Sequence, residues 1–210
     1  MSHIVLLGDS IFDNAVYVPG RPPVIEQLRS WLPPGWRATL LAADGAVTDS
    51  VPRQLAELPS DATHLAISVG GNDALGYSGI VYDETSTAAE GFQLLAEAHF
   101  KFRQDYQAML RAVLEEQKPT LVCTIYDSVP GLPQGAIAGL SAFNDVILRE
   151  AFRHGLPVLD LRLICNDPHD YSGVSPIEPS EIGGAKIVQG ICRLLAEHDF
   201  SRRDSVIYGR

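Results

Sequence analysis

The chain has 210 residues, with 16 Lys and Arg against 26 Asp and Glu, a formal net charge of −10 and 46% hydrophobic residues. That length suits one core needing neither disulfide nor metal, and the negative charge argues against a nucleic-acid surface or an anionic membrane as partner. No apolar stretch approaches a membrane span, and Cys123, Cys165 and Cys192 form neither a pairing pattern nor a metal knuckle.

The first apolar run, Ile4-Val5-Leu6-Leu7, reads as a buried strand and ends in Gly8-Asp9-Ser10. An apolar strand starting at Ile4 does not resemble a signal peptide, so the unpaired cysteines point to a cytoplasmic protein. Pro22-Pro23 then opens a helical pattern over Val24, Ile25, Leu28 and Trp31, closed by Pro33-Pro34-Gly35; proline is tolerated where its missing N–H needs no partner. Further strands are predicted at Ala38–Leu41, Leu65–Val69, Thr120–Ile125 and Val158–Asp160. Helices are predicted over Thr48–Leu58, Ser86–Gln117, Leu140–Phe152 and Pro179–Glu197, the last capped by Glu178 or a neighbour. The longest should bury Phe92, Leu95, Ala96, His99, Phe102, Tyr106, Met109, Leu110 and Val113 on one face. Residues 1–197 read as one domain, followed by a polar, dispensable tail at 198–210.

Strands alternating with helices predict a mainly parallel sheet. The fold expected is an α/β three-layer α/β/α sandwich on a flavodoxin-like five-stranded sheet of order 2-1-3-4-5. In such sheets ligands bind beyond the carboxyl ends of the strands, at the switch point beside strand one. Three loops converge there: Gly8-Asp9-Ser10-Ile11, Ala42-Ala43-Asp44-Gly45-Ala46 and Gly70-Gly71-Asn72-Asp73.

These blocks, after successive strands, resemble the first three blocks of the SGNH (GDSL-type) hydrolase family. The resemblance implies acyl transfer at Ser10, whose attack on an ester carbonyl creates an oxyanion that preorganised donors must stabilise. The implied donors are the backbone N–H groups of Ser10 and Gly45 and the side-chain amide of Asn72, its carbonyl held by a neighbour. Asp9 and Asp73 read as structural, bonding loop amides. No cofactor is implied, and no histidine joins the two aspartates at ligand spacing for a metal.

The family's last block carries Asp-x-x-His before the final helix. Here Ser175-Pro176-Ile177-Glu178-Pro179-Ser180-Glu181-Ile182-Gly183 occupies that context, with Ser175 at the aspartate position and Glu178 at the histidine. Three readings stay open. Glu178 could be the base, if burial raises its pKa; His169 could reach in from Asn166-Asp167-Pro168-His169-Asp170, oriented by Asp167 or Asp170; or catalysis is lost and a binding pocket remains. His3 and His64 lie at the wrong end of the sheet, His99 reads as a core histidine, and His154 and His198 sit near helix C-termini.

The function expected is a serine esterase or acylhydrolase acting on a small ester, the alternative a catalytically impaired small-molecule binding module. Two segments could form a lid over Ser10: Gly76 to Thr87 and Asp127 to Pro133. The oligomeric state is not legible.

Overall fold

The computed structural model describes residues 2–209. Six parallel strands run in the order β2-β1-β3-β4-β5-β6. They are β1 (Ser2–Gly8), β2 (Trp36–Leu40), β3 (His64–Ser68), β4 (Thr120–Cys123), β5 (Val158–Leu159) and β6 (Ile207–Tyr208). The strand order 2-1-3-4-5 is as expected, but the sheet has a sixth strand. Residues 198–210, expected to be a polar tail, supply it: Val158 N–H donates to Val206 O at 2.9 Å and Asp160 N–H to Tyr208 O at 2.8 Å. A two-residue strand carries no period for a sequence to display.

β1 is buried on both faces, and its alternation of side chains divides the core into two layers. Ile4 and Leu6 join the cluster with Val24 and Leu28 of α1 (Val24–Trp31) and Ile187 and Ile191 of α7 (Glu181–Glu197). Val5 and Leu7 face the opposite cluster, with Val51 of α2 (Val51–Leu55), Phe102 and Met109 of α4 (Ala88–Glu115) and Phe143 and Ile147 of α5 (Gln134–His154). Helices therefore cover both faces of the sheet, an α/β/α sandwich.

Two short helices were not expected, α3 (Gly71–Gly76) and α6 (Leu161–Ile164). α5 begins before the predicted Leu140, at Gln134 behind Pro133, and α7 begins at Glu181. The cap of α7 is Ser180, whose hydroxyl accepts from the N–H groups of Ile182 and Gly183; Glu178 is left free for another role. The long helix departs most from expectation. Phe102, Tyr106, Met109, Leu110 and Val113 are buried, whereas Phe92 is 72% exposed and His99 only half-buried, facing Asp145. The first turns of α4 line a cavity instead of the core, through Ala88, Gly91, Phe92 and Leu95.

Candidate active site

Ser10 stands one residue beyond the strand-end turn that closes β1. Gly8 is required there: its φ is +123°, and a Cβ would lie 1.8 Å from the Ser68 carbonyl oxygen. The close approach lets Asp9 N–H donate to that same carbonyl at 3.0 Å. The buried Gln54 amide clamps Gly8 from the other side, accepting from its N–H and donating to its C=O, both at 2.8 Å. No sequence signal marked Gln54.

The second and third loops are tied to this turn. Ala43 N–H donates to Gly8 O at 3.0 Å. The Asp73 carboxylate accepts from the Thr48 hydroxyl at 2.7 Å and from its N–H, and Asp9 accepts from Ile11 N–H. Both aspartates thus bond loop groups. Asn72 Nδ2 donates to Ala46 O at 2.9 Å. This corrects one detail: the amide nitrogen, not the carbonyl, is the held group, and its second N–H remains available. Gly45, at φ +74°, is exposed on the adjoining loop and does not line the pocket around Ser10. Among the described residues, the backbone N–H groups of Ser10 and Gly45 have no intramolecular acceptor.

The fourth loop brings Glu178 to the serine. Ser10 Oγ donates to Glu178 Oε1 at 3.5 Å, a long contact, and Glu178 is only 4% exposed. Its Oε2 is buried without a hydrogen-bond partner. Burial is the largest influence on this carboxyl and pushes its pKa above the ordinary value; Asp44 adds to the rise, while the nearby Ser175 and Ser10 hydroxyls oppose it. The Ser175 hydroxyl is close enough to do so yet falls outside hydrogen-bond geometry with Oε2. Asp9, fully buried behind the serine, is pushed up to about 7, chiefly by burial, with Asp73 and Glu178 adding to the rise and the Ile11 N–H opposing it.

The Glu178 loop is anchored on every side. Ser172 N–H donates to Glu178 O at 2.8 Å, the Tyr126 hydroxyl to Ile177 O, and Asn14 Nδ2 to Pro179 O at 3.1 Å. Asn14 Oδ1 in turn accepts from Val24 N–H at 2.9 Å, linking the loop to the start of α1. Asn14 and Tyr126 position the site through backbone atoms, which leaves no trace in residue spacing.

His169 goes elsewhere. Its ring is 83% exposed and paired with Asp167, whose Oδ1 lies 2.8 Å from Nδ1, and Asp170 is bound to Lys186 instead. The structure does not bring His169, Asp167 or Asp170 to Ser10. The loop lacks the reach because Ser180 holds it, its hydroxyl donating to His169 O and its N–H to Asp170 O.

Ser10, Asn72, Asp9 and Glu178 share a pocket of about 80 Å³ with Val69, Leu75, Ile125, Tyr126 and Ile177. Of the two expected lid segments, the second lines this pocket through Val129 and Leu132, whereas the first, through Tyr77, Ser78, Ile80 and Val81, lines a neighbouring cavity. No grouping of His, Cys, Asp and Glu suited to a metal occurs among the described residues. The arrangement can hold a hydroxyl against a buried carboxylate, with N–H groups close by.

A family model described as GDSL-like lipase/acylhydrolase matches residues 6–183. Solved structures share the fold. An extracellular lipase from Streptomyces rimosus is 20% identical, with a TM-score of 0.65 over 95% of this chain and 100% of that one. The lipase Lip_vut3 from a goat rumen metagenome is 18% identical, with a TM-score of 0.70 over 90% of this chain and 95% of that one. Phospholipase A1 from Streptomyces albidoflavus NA297 is 17% identical, with a TM-score of 0.64 over 94% of this chain and 99% of that one. No curated protein matches the sequence.

Proposed function

The chain belongs to the GDSL-like lipase/acylhydrolase family, and from that premise we propose a serine esterase that works through an acyl-enzyme at Ser10 with Glu178 as general base. The observation that carries this is the Ser10 hydroxyl donating to Glu178 Oε1 at 3.5 Å in an apolar pocket at the carboxyl end of the sheet. A carboxylate of ordinary pKa is a weak base toward a hydroxyl; burial raises Glu178 toward the operating pH, where a base works best.

The ionised Glu178 takes the Ser10 proton as Oγ bonds to the ester carbonyl carbon, and the carbonyl oxygen becomes the oxyanion. The donors are Ser10 N–H and the second Asn72 N–H, with Gly45 N–H offered from the exposed loop beside the pocket, which Asn72 holds through Ala46 O. Collapse breaks the ester C–O bond, and the Glu178 proton goes to the leaving alcohol. Water then gives a proton to Glu178 and attacks the acyl carbon. The second collapse frees the acid, and the proton on Glu178 returns to Ser10 Oγ. The unpaired cysteines support a reducing compartment as the setting, the cytoplasm.

A fluorophosphonate tests the reading without a guess at the substrate. Intact mass should rise by one adduct, mapping to Ser10 and absent from Ser10→Ala, with the melting temperature of that variant nearly unchanged. No adduct on a folded sample beside a reactive control hydrolase overturns the catalytic reading and favours the binding module.

A further inference from the structure

We propose that the alcohol half of the ester carries a positive charge, an ammonium group held beside Glu178 at the mouth of the Ser10 pocket by Asp44 and Asp13; this rests on the acyl-enzyme reading above. Charge is spread unevenly over the fold. The stretches running from the carboxyl end of a strand to the next sheet-covering helix are residues 9–23, 41–50, 69–87, 124–133 and 160–180. They hold twelve of the 26 acidic residues and two of the 16 basic ones. The whole formal charge of −10 therefore lies at the catalytic edge, and the rest of the chain is balanced. A cleft lined by one sign of charge focuses its field and draws in the opposite sign.

Neither of the two arginines neutralises the site. Arg21 pairs with Glu181 at 3.6 Å and Arg162 with Asp160 at 2.6 Å. Among the described residues, Asp13, Asp44 and Glu178 have no cationic partner. These three gather around the Tyr17 hydroxyl. That hydroxyl donates to Asp44 Oδ2 at 2.8 Å, and Asp44 N–H donates to Asp13 Oδ2 at 3.0 Å. The Tyr17 pKa is pushed up to about 12, first by its bond to Asp44, then by burial and by the charges of Glu178, Asp44 and Asp13. A second observation is independent of this surface charge. Glu178 lines the pocket at 4% exposure, and its Oε2 is buried without a hydrogen-bond partner. A buried carboxylate oxygen without a donor is destabilising; an ammonium group beside it answers both that oxygen and the surrounding negative charge.

Proton transfer decides which half of the ester is charged. The base that takes the Ser10 proton must return it to the leaving alcohol, so the alcohol oxygen lies at Glu178. A charge close to that oxygen sits among the carboxylates whose fields Glu178 feels, Asp44 foremost. The acyl half has no such neighbours.

Acetylcholine, its neutral isostere 3,3-dimethylbutyl acetate and the anionic acetoxyacetate all release acetate, so one assay compares them. With each kcat/KM divided by the hydroxide rate of that ester, acetylcholine should lead its isostere by roughly tenfold or more at low salt. The anion should be slowest, and the lead should shrink as salt screens the mouth. Asp44→Asn keeps an oxygen for the Tyr17 hydroxyl but loses the charge; it should cut the lead by roughly threefold to tenfold, and Asp44→Glu should restore it. A cation beside Glu178 also favours its ionised form. So kcat should rise at lower pH with acetylcholine than with the isostere, while kcat/KM, which follows the free enzyme, rises at the same pH for both. Equal kcat/KM for the two esters, or a lead unchanged in Asp44→Asn, overturns the cation site; coincident kcat profiles overturn its placement beside Glu178.

Binding to Ser10→Ala separates the site from the chemistry. By calorimetry that variant should bind acetylcholine roughly tenfold more tightly than the isostere, and Ser10→Ala/Asp44→Asn should lose the difference. If no ester is hydrolysed yet this preference holds, the cation site stands and the acyl-enzyme reading falls. If the fluorophosphonate labels Ser10 and the isostere is hydrolysed with no preference for charge, the acyl-enzyme reading stands and the cation site falls.

Discussion

Glu178→Gln should abolish turnover and stabilise the protein, two opposite effects with one cause. A positioned general base contributes about 10²–10⁴ to the rate, or roughly 3–5 kcal/mol of barrier, and glutamine cannot take a proton. Stability moves the other way because Glu178 is 4% exposed and its Oε2 has no partner. Holding a charge in such a site costs at least the about 1–3 kcal/mol of a neutral buried polar group, a charge the neutral amide does not carry, and about 2–4 °C of melting temperature corresponds to each kcal/mol in a chain of this size. The pH dependence fixes the sign. Burial raises the folded pKa of Glu178 above its unfolded value of about 4.3, so the unfolded chain gives up the proton first and the wild type loses stability as pH rises between the two values. Below the unfolded value the carboxyl is neutral in both states, and wild type and variant should melt alike. Above the folded value the gap should be largest. Wild-type kcat/KM should rise over the same interval, as Glu178 ionises to the base form. The assay is ester hydrolysis and thermal melts of both proteins across the acid and neutral range. Hydrolysis by Glu178→Gln within about tenfold of wild type, or a melting-temperature gap that closes rather than opens with rising pH, would refute the reasoning.

Asn72→Ala removes the side-chain N–H donor and should lower kcat by about 10²–10³, or 2.7–4 kcal/mol, with KM changed far less; a loss confined to KM would assign Asn72 to loop tethering through Ala46 alone. His169→Ala should hydrolyse ester at the wild-type rate with an unchanged pH profile, because its ring is 83% exposed and paired with Asp167; an inactive, folded variant would restore the histidine base. Ending the chain at Glu197 should destabilise the protein by about 2–5 kcal/mol, from the lost burial of Tyr208 and the hydrogen bonds of β6 to Val158 and Asp160. An unchanged melt would return residues 198–210 to the status of a dispensable tail.

The apolar runs and the punctuation between them determined the sandwich and its first five strands, because a strand buried on both faces must be continuously hydrophobic and clusters such as Pro33-Pro34-Gly35 mark loops. The sequence also determined which loops converge. Gly8-Asp9-Ser10, Gly45 and Gly70-Gly71-Asn72 follow successive strands, and parallel topology collects such loops at one edge. Alignment on Pro179 and Gly183 set Glu178 where the family has its base, but residue order could not separate it from His169, since both lie in the same irregular segment. The tertiary structure separates their positions. Ser180 pins the His169 turn outward, while Asn14, Tyr126 and Ser172 hold the neighbouring backbone so that Glu178 is buried against Ser10. Tertiary structure likewise decided the fate of Phe92 and Leu95. Helical periodicity says which residues share a face, not whether that face meets the core or a cavity, and only the position of α5 opposite α4 leaves a groove there. β6 is the limiting case: two residues form a strand only because β5 offers them an open edge.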